Sequence, residues 1–290
     1  MPTDSPIPTS PRNPDHIAEL VGVSKRFGPN IILSDVSLAF KKGEVTVILG
    51  PSGAGKSVLI KHLVGLLAPD EGEIYVDGKR VDRYTEREFL EVRRKVGYMF
   101  QLGALFDSMT VGQNIAFPLL EHTDDSPEER LDKVRDVLRM VGLPGFENRY
   151  PTQISGGQQR RIAMARAIIL RPNLVLFDEP TTGLDPMRSD LISELVLALT
   201  KNLGISSIVV THDMNSARKI ADRMVLLYNG RVVADAHKDE FLATSDPLVK
   251  RFILGQAEED DLLRIHSAFT PTFAPSVVPP SSPAPFTENP

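Results

Sequence analysis

Gly50-Pro51-Ser52-Gly53-Ala54-Gly55-Lys56-Ser57 is the stretch from which the fold can be read. It follows Glu44-Val45-Thr46-Val47-Ile48-Leu49, an apolar β-branched run of strand length. It precedes Val58-Leu59-Ile60-Lys61-His62-Leu63-Val64, which reads as a helix. Strand, GxxxxGK[ST], helix is the order that a phosphate-binding loop requires. The glycines let backbone N–H groups turn inward around a polyphosphate, and the positive end of the new helix points at the same anion. In such a loop Lys56 reaches the β/γ-phosphates and the Ser57 hydroxyl holds Mg²⁺. A chance glycine turn before a lysine is the competing reading, and the flanking strand and helix weigh against it.

Working outward, 290 residues hold one large or two small domains, and 41% apolar residues suffice for a real core. No apolar run approaches the roughly 18–20 residues that span a bilayer. Met1 to His16 carries five prolines and no apolar signal-peptide core, so it reads as a disordered leader. The absence of cysteine excludes disulfides, thiol catalysis and thiolate metal sites, and fits a cytosolic setting. A net charge of −5 without a basic block argues against nucleic acid as a partner. It argues equally against holding an anionic membrane by charge alone, so work at a membrane requires a second protein.

Ile17 to Val23 is expected as a first strand, with a turn at Lys25-Arg26-Phe27-Gly28. Val36, Leu38 and Phe40 alternate toward a core in a second. Beyond the loop come a short strand at Glu73–Val76, a charged surface helix over 83–94 and a buried strand over 96–100 ending on Gln101. Residues 102–152 read as helical. Ser126-Pro127-Glu128-Glu129 has the N-cap, N1 proline and capping-box glutamate of a helix start, and Leu131, Val134, Leu138 and Val141 give that helix a buried face. Ser155-Gly156-Gly157-Gln158 opens another helix, Leu174–Phe177 is a fully apolar strand, and Asp185-Pro186 starts a long helix to about Leu203. Ser207–Val210 is one more buried strand, Asn229-Gly230 marks a hairpin, and Asp246-Pro247 caps a short helix stopping at Gly255. The final twenty residues contain seven prolines and read as disordered, while Leu262, Ile265 and Phe269 leave a docking helix open against a solvated tail. Strands alternating with helices imply a parallel sheet with covered faces, whose strand ends carry the ligand.

Four such ends converge on one polyphosphate. They are the phosphate loop after Leu49, Gln101 after Phe100, Asp178-Glu179 after Phe177, and His212 after Val210-Thr211. Asp178, behind an apolar strand, takes the Mg²⁺-holding role, and Glu179 is placed to polarise a water aimed at the γ-phosphate. A general base of this kind contributes about 10²–10⁴ in rate. His212 is read as a γ-phosphate contact in preference to a structural histidine. Gln101 stays open between orienting water or touching Mg²⁺ and being an ordinary turn residue. Ser155-Gly156-Gly157-Gln158 is a second glycine-rich helix start, either an anion site or a plain cap, and spacing alone does not say whose phosphate it reads.

Taken together and in order, Gly50–Ser57, Gln101, Ile154–Gln158, Leu174–Glu179, Gly183-Leu184-Asp185 and His212 resemble the Walker A, Q-loop, signature, Walker B, D-loop and H-loop of ATP-binding cassette (ABC) ATPases. The likeness spans about residues 17–255. It implies an α/β P-loop NTPase fold with a mostly parallel core sheet, an N-terminal antiparallel β part and an inserted helical subdomain over about 102–160. It also implies ATP and Mg²⁺ as ligands, with Phe27 stacking on adenine and Asp185 beside the nucleotide. The family forms a head-to-tail homodimer in which Ser155, Gly156 and Gly157 of one subunit cap the nucleotide on the other. Ile154 stands where leucine is commoner. Residues 103–110, 114–119 and 121–123 are similar to the ATPases of MCE-type lipid transporters, in the region that faces an integral-membrane permease. That likeness implies phospholipid or other hydrophobic cargo and an MCE-domain protein. It also brings in, for some members, a STAS-domain regulator, and it places the chain at the cytoplasmic face of a membrane. Other ABC importers or exporters, such as those for amino acids, and non-transport transmitters share the same chemistry. Translation cassettes carry two units per chain and repair cassettes carry long coiled coils, features absent from this sequence.

Overall fold

The structure, a computed structural model, describes residues 13–256. The expected disordered leader and proline-rich tail, with its 262–269 helix, lie outside those residues except at their inner ends, where His16 already begins a strand. Two long strands come first, β1 (His16–Phe27) and β2 (Asn30–Lys41). They extend further than expected: Lys25, Arg26 and Phe27 pair with Leu33, Ile31 and Asn30, which leaves only Gly28 (φ 58°) and Pro29 to turn. Then follow β3 (Val45–Leu49), α1 (Lys56–His62), β4 (Glu71–Val76), β5 (Lys79–Arg80), α2 (Glu86–Lys95) and β6 (Val96–Met99). A helical stretch comes next: α3 (Val111–His122), α4 (Pro127–Met140), a 3₁₀ turn (Pro151–Gln153) and α5 (Gly156–Ile168). The chain then alternates through β7 (Leu174–Asp178), α6 (Pro186–Leu203), β8 (Ser206–Val210), α7 (Met214–Ile220) and β9 (Arg223–Tyr228). It closes with β10 (Arg231–His237), α8 (Lys238–Leu242) and α9 (Pro247–Leu254).

The main sheet runs β10-β9-β3-β8-β7-β6, parallel throughout except for β10, and the smaller sheet, β2-β1-β4-β5, is antiparallel. Every residue of β3, β7 and β8 is buried, as expected for strands covered on both faces. Alternation divides their side chains between two cores. Val47, Leu49, Val175, Phe177 and Val209 join α3 to α7 on one side. Ile48, Leu174, Leu176, Ile208 and Val210 face the other way, where Leu59, Ile60 and Leu63 around α1 fill the space beneath the antiparallel sheet. The helix behind the phosphate loop is thus clamped between two sheets.

One helix start differs from expectation: α2 begins at Glu86 and not at Arg83, because Thr85 and Glu88 form a capping box there. α3, within the stretch read as helical, begins on the same device, Thr110 with Gln113. Leu131, expected on the buried face of α4, is 40% exposed; it sits in the first turns, before the helix reaches the core, and Val137 is buried instead.

Gly97 in β6 lets α5 approach: a Cβ there would lie 2.2 Å from the Ala167 carbonyl oxygen. Gly97→Ala is expected to lose about 1–3 kcal/mol through overpacking and to lower the melting temperature by several degrees in a thermal scan.

Candidate active site

The loop between β3 and α1 is shaped by contacts that exclude side chains. Gly50 passes so close to β9 that a Cβ would meet the Leu227 carbonyl oxygen at 2.2 Å. Gly55 (φ 99°) caps α1 without any side-chain hydrogen bond. Thr85, Thr110, Ser126, Ser155 and Asp185 by contrast satisfy the first N–H groups of their own helices. The N–H groups at the start of α1 are therefore left for an anion.

Lys56 Nζ donates to the carbonyls of Gly50 (2.8 Å) and Pro51 (3.0 Å) and lies 3.6 Å from Glu179 Oε1. Burial pushes its pKa below the usual lysine range, opposed by the Glu179 and Asp178 carboxylates. Ser57 Oγ donates to Asp178 Oδ1 at 2.7 Å, so a hydroxyl and a carboxylate from two elements stand side by side. That hard-oxygen pair suits Mg²⁺, which takes one or two protein ligands and completes its shell with water and phosphate oxygens. Among the described residues no cluster of three or more acidic or histidine side chains competes as a metal site.

Tyr98, which the sequence did not single out, donates its hydroxyl to Asp178 Oδ2 at 3.0 Å. Burial and the adjacent carboxylate push the phenol above its ordinary range, so it remains a donor. Tyr98 is paired with Leu176 in the β6–β7 ladder, two residues from Asp178, which puts both side chains on one face.

Glu179 turns out of β7 at φ 50°, a left-handed conformation unusual for a glutamate. Its N–H still reaches Val210 O (2.9 Å), so the sheet over-determines the turn. His212 Nδ1 lies 2.9 Å from Oε2 and 3.1 Å from Oε1, and the tautomer protonated on Nδ1 donates to both. Thr182 Oγ1 adds a donor to Oε2 at 2.9 Å, a second contact invisible in the motif pattern.

The remaining expected site residues stand apart. Gln101 is exposed and makes no side-chain hydrogen bond among the described residues. Phe27 is 46% exposed at the hairpin tip, with Lys25 Nζ 5.6 Å from its ring centre. Ser155 and Gln158 form a reciprocal capping box on α5. A Cβ on Gly156 would meet nothing within 4 Å, and on Gly157 only the Arg188 side chain. Asp185 caps α6 and pairs with Arg188 at 3.1 Å.

Beside this cluster runs an apolar groove of about 420 Å³ between β6 and α3, lined by Tyr98, Phe100, Ala104, Phe106, Phe117 and Pro118. Asn114, fully buried, fixes its rim: its amide accepts from Phe106 N and donates to the Phe106, Met109 and Thr110 carbonyls. Arg166 Nη2 donates to Gly103 O at 2.7 Å and holds the same loop from α5.

Comparison with known proteins gives one consistent family. Residues 33–182 match the family described as ABC transporter. The chain is 40% identical over 250 residues to the probable ribonucleotide transport ATP-binding protein Mkl of Mycobacterium tuberculosis, covering 84% of this chain and 70% of that one. It is 38% identical over 244 residues to the intermembrane phospholipid transport system ATP-binding protein MlaF of Haemophilus influenzae, covering 84% and 92%. The ATP-binding cassette MJ0796, solved as a dimer in a post-hydrolysis state with ADP and Pi, superposes with a TM-score of 0.71 at 36% identity, over 76% of this chain and 98% of that one.

Tyr98→Phe leaves Asp178 Oδ2 without its donor. With Asp178 in the Mg²⁺-holding role expected from the sequence, the change should raise the Mg²⁺ concentration for half-maximal ATPase activity by about tenfold in a metal titration.

Proposed function

The chain belongs to the ABC transporter family as an ATP-binding subunit and ATPase, and from that premise we propose that it works as a homodimer driving phospholipid or other hydrophobic cargo through an MCE-type membrane complex. In this reading the backbone of Gly50, Pro51, Ser52, Gly53, Ala54 and Gly55 cradles the phosphates, and Lys56 leaves its loop carbonyls for the β/γ oxygens. Ser57 and Asp178 would hold Mg²⁺, which would supply positive charge against the charge that develops on the phosphate oxygens. Release of Lys56 frees Glu179 Oε1 to accept a proton from the attacking water while His212 and Thr182 keep the carboxylate aimed. Phe27 stacks on adenine, His212 contacts the γ-phosphate through its exposed side, and Gln101 orients the water.

The observation that carries the dimer is Gly156. Among the described residues a Cβ there would stand in open space, so the backbone at the start of α5 is open to approach from outside, and in this reading a phosphate held by a second copy fills that space. Ser155, Gly156, Gly157 and Gln158 of one protomer then close over the nucleotide of the other, with Asp185 near the same seam. The apolar groove beside residues 102–120 is the seat for a permease helix, its aromatic lining exposed and its loop pinned from two sides. Among the described residues no helix is long and apolar enough to cross a membrane, so the permease would hold the ATPase peripherally at the cytoplasmic face. An MCE-domain protein and a STAS-domain regulator complete the complex in this reading. A polar cargo is the second reading, favoured by the ribonucleotide transport named for Mkl.

Glu179→Gln is expected to abolish turnover and trap an ATP-bound dimer, read as a mass doubling in light scattering. Ser155→Ala should slow hydrolysis by about a hundredfold, as loss of a transition-state donor does. Full-rate hydrolysis by a strict monomer would exclude the dimer. For cargo, ATP-dependent transfer of labelled phospholipid by the membrane complex, lost with Glu179→Gln, supports the lipid reading; ribonucleotide uptake in its place would overturn it.

A further inference from the structure

Arg160 carries a buried charge without a counter-charge. It lies one turn into α5 at 4% exposure and makes no ion pair among the described residues. Its Nη2 donates to the Thr182 carbonyl at 2.9 Å, while Nη1 is buried with no acceptor. Taking such a charge out of water is unfavourable, and an apolar residue of similar size would pack as well or better. Its place is better explained by what it holds than by what it adds to stability.

What it holds is Thr182. The Thr182 carbonyl receives Arg160, and the Thr182 hydroxyl donates to Glu179 Oε2 across a turn closed by Thr182 N–H to Glu179 O at 3.4 Å. One residue therefore joins the hydrolytic carboxylate to the helix whose first turn is Ser155–Gln158. A 13-residue helix moves as a rod, so a shift at its start is felt at Arg160. The join matters most once nucleotide is bound. Lys56 then leaves Glu179 for phosphate, and Thr182 and His212 are the contacts that remain.

We propose that Arg160 and Thr182 are positioning residues that aim Glu179 in response to what α5 touches. When the first turn of α5 closes over the partner's nucleotide, the relay through Arg160 and Thr182 sets the carboxylate over the protomer's own nucleotide, so neither site fires before the other is capped. The relay rests on the half-site dimer proposed above.

Thr182→Val keeps the shape and removes the donor. It is expected to lower kcat about tenfold with KM for ATP unchanged, since a misplaced base affects the chemical step and not binding. Thr182→Ser should restore kcat. Arg160→Met should show the same kcat loss, and the double variant should be no slower than the slower single, the mark of two residues acting through one contact. Wild-type kcat in Thr182→Val, failure of serine to restore it, or additive losses in the double variant would overturn the relay. Light scattering of each variant combined with Glu179→Gln separates the two ideas. A Thr182→Val chain that still dimerises on ATP but keeps full kcat sinks the relay alone, whereas a wild-type chain that turns over as a monomer sinks both.

Discussion

Three parallel strands end side by side in this protein, and their register sets the positions of the candidate site residues. β8 lies between β3 and β7, with Ile48 and Asp178 both paired to Val210. The ladder continues past the strands themselves, through Thr211 N–H to Ile48 O (3.1 Å) and Glu179 N–H to Val210 O (2.9 Å). The phosphate loop, the Asp178-Glu179 pair and His212 therefore leave the sheet at one edge. A slip of one residue in either pairing would turn Asp178 to the opposite face and part it from Ser57. The local electrostatics follow from this. Lys56, Asp178 and Glu179 are buried together, where opposite charges hold each other in place and water screens them little.

A second layer of structure turns this cluster toward the rest of an assembly. The helical stretch between β6 and β7 presents the apolar groove on one side and the first turn of α5 on another. Tyr98 belongs to both the groove and the site: its ring stacks near Phe100 at 4.3 Å between centroids, and its hydroxyl holds Asp178. The open space beside Gly156 and the exposed ring of Phe27 likewise face away from the chain's own core.

Much of this was legible in the sequence because strand ends and glycine loops are local signals. The apolar runs before Gly50, Asp178 and Thr211 each announced a covered strand, and the polar residues that follow them announced the site. The capping boxes at Thr85-Glu88 and Thr110-Gln113 are equally local signals, and they fix where α2 and α3 begin more closely than charge or apolar content does. Tyr98 and Thr182 were illegible by contrast. Their partners are known only once neighbouring strands are known to lie in register, or once a turn is known to fold back on itself. Arg160 reads as one more charged helix residue until its burial is seen. Leu131 shows that helical spacing finds a face without saying where along the axis the core begins.

The resting place of Lys56 bears on how the loop survives between turnovers. Its ammonium is already solvated by the Gly50 and Pro51 carbonyls and faced by Glu179, so an arriving triphosphate swaps one set of oxygens for another and no bare cation is exposed when it departs. The loop thus carries its own internal substitute ligand, and the buried charge passes from one set of oxygen acceptors to another.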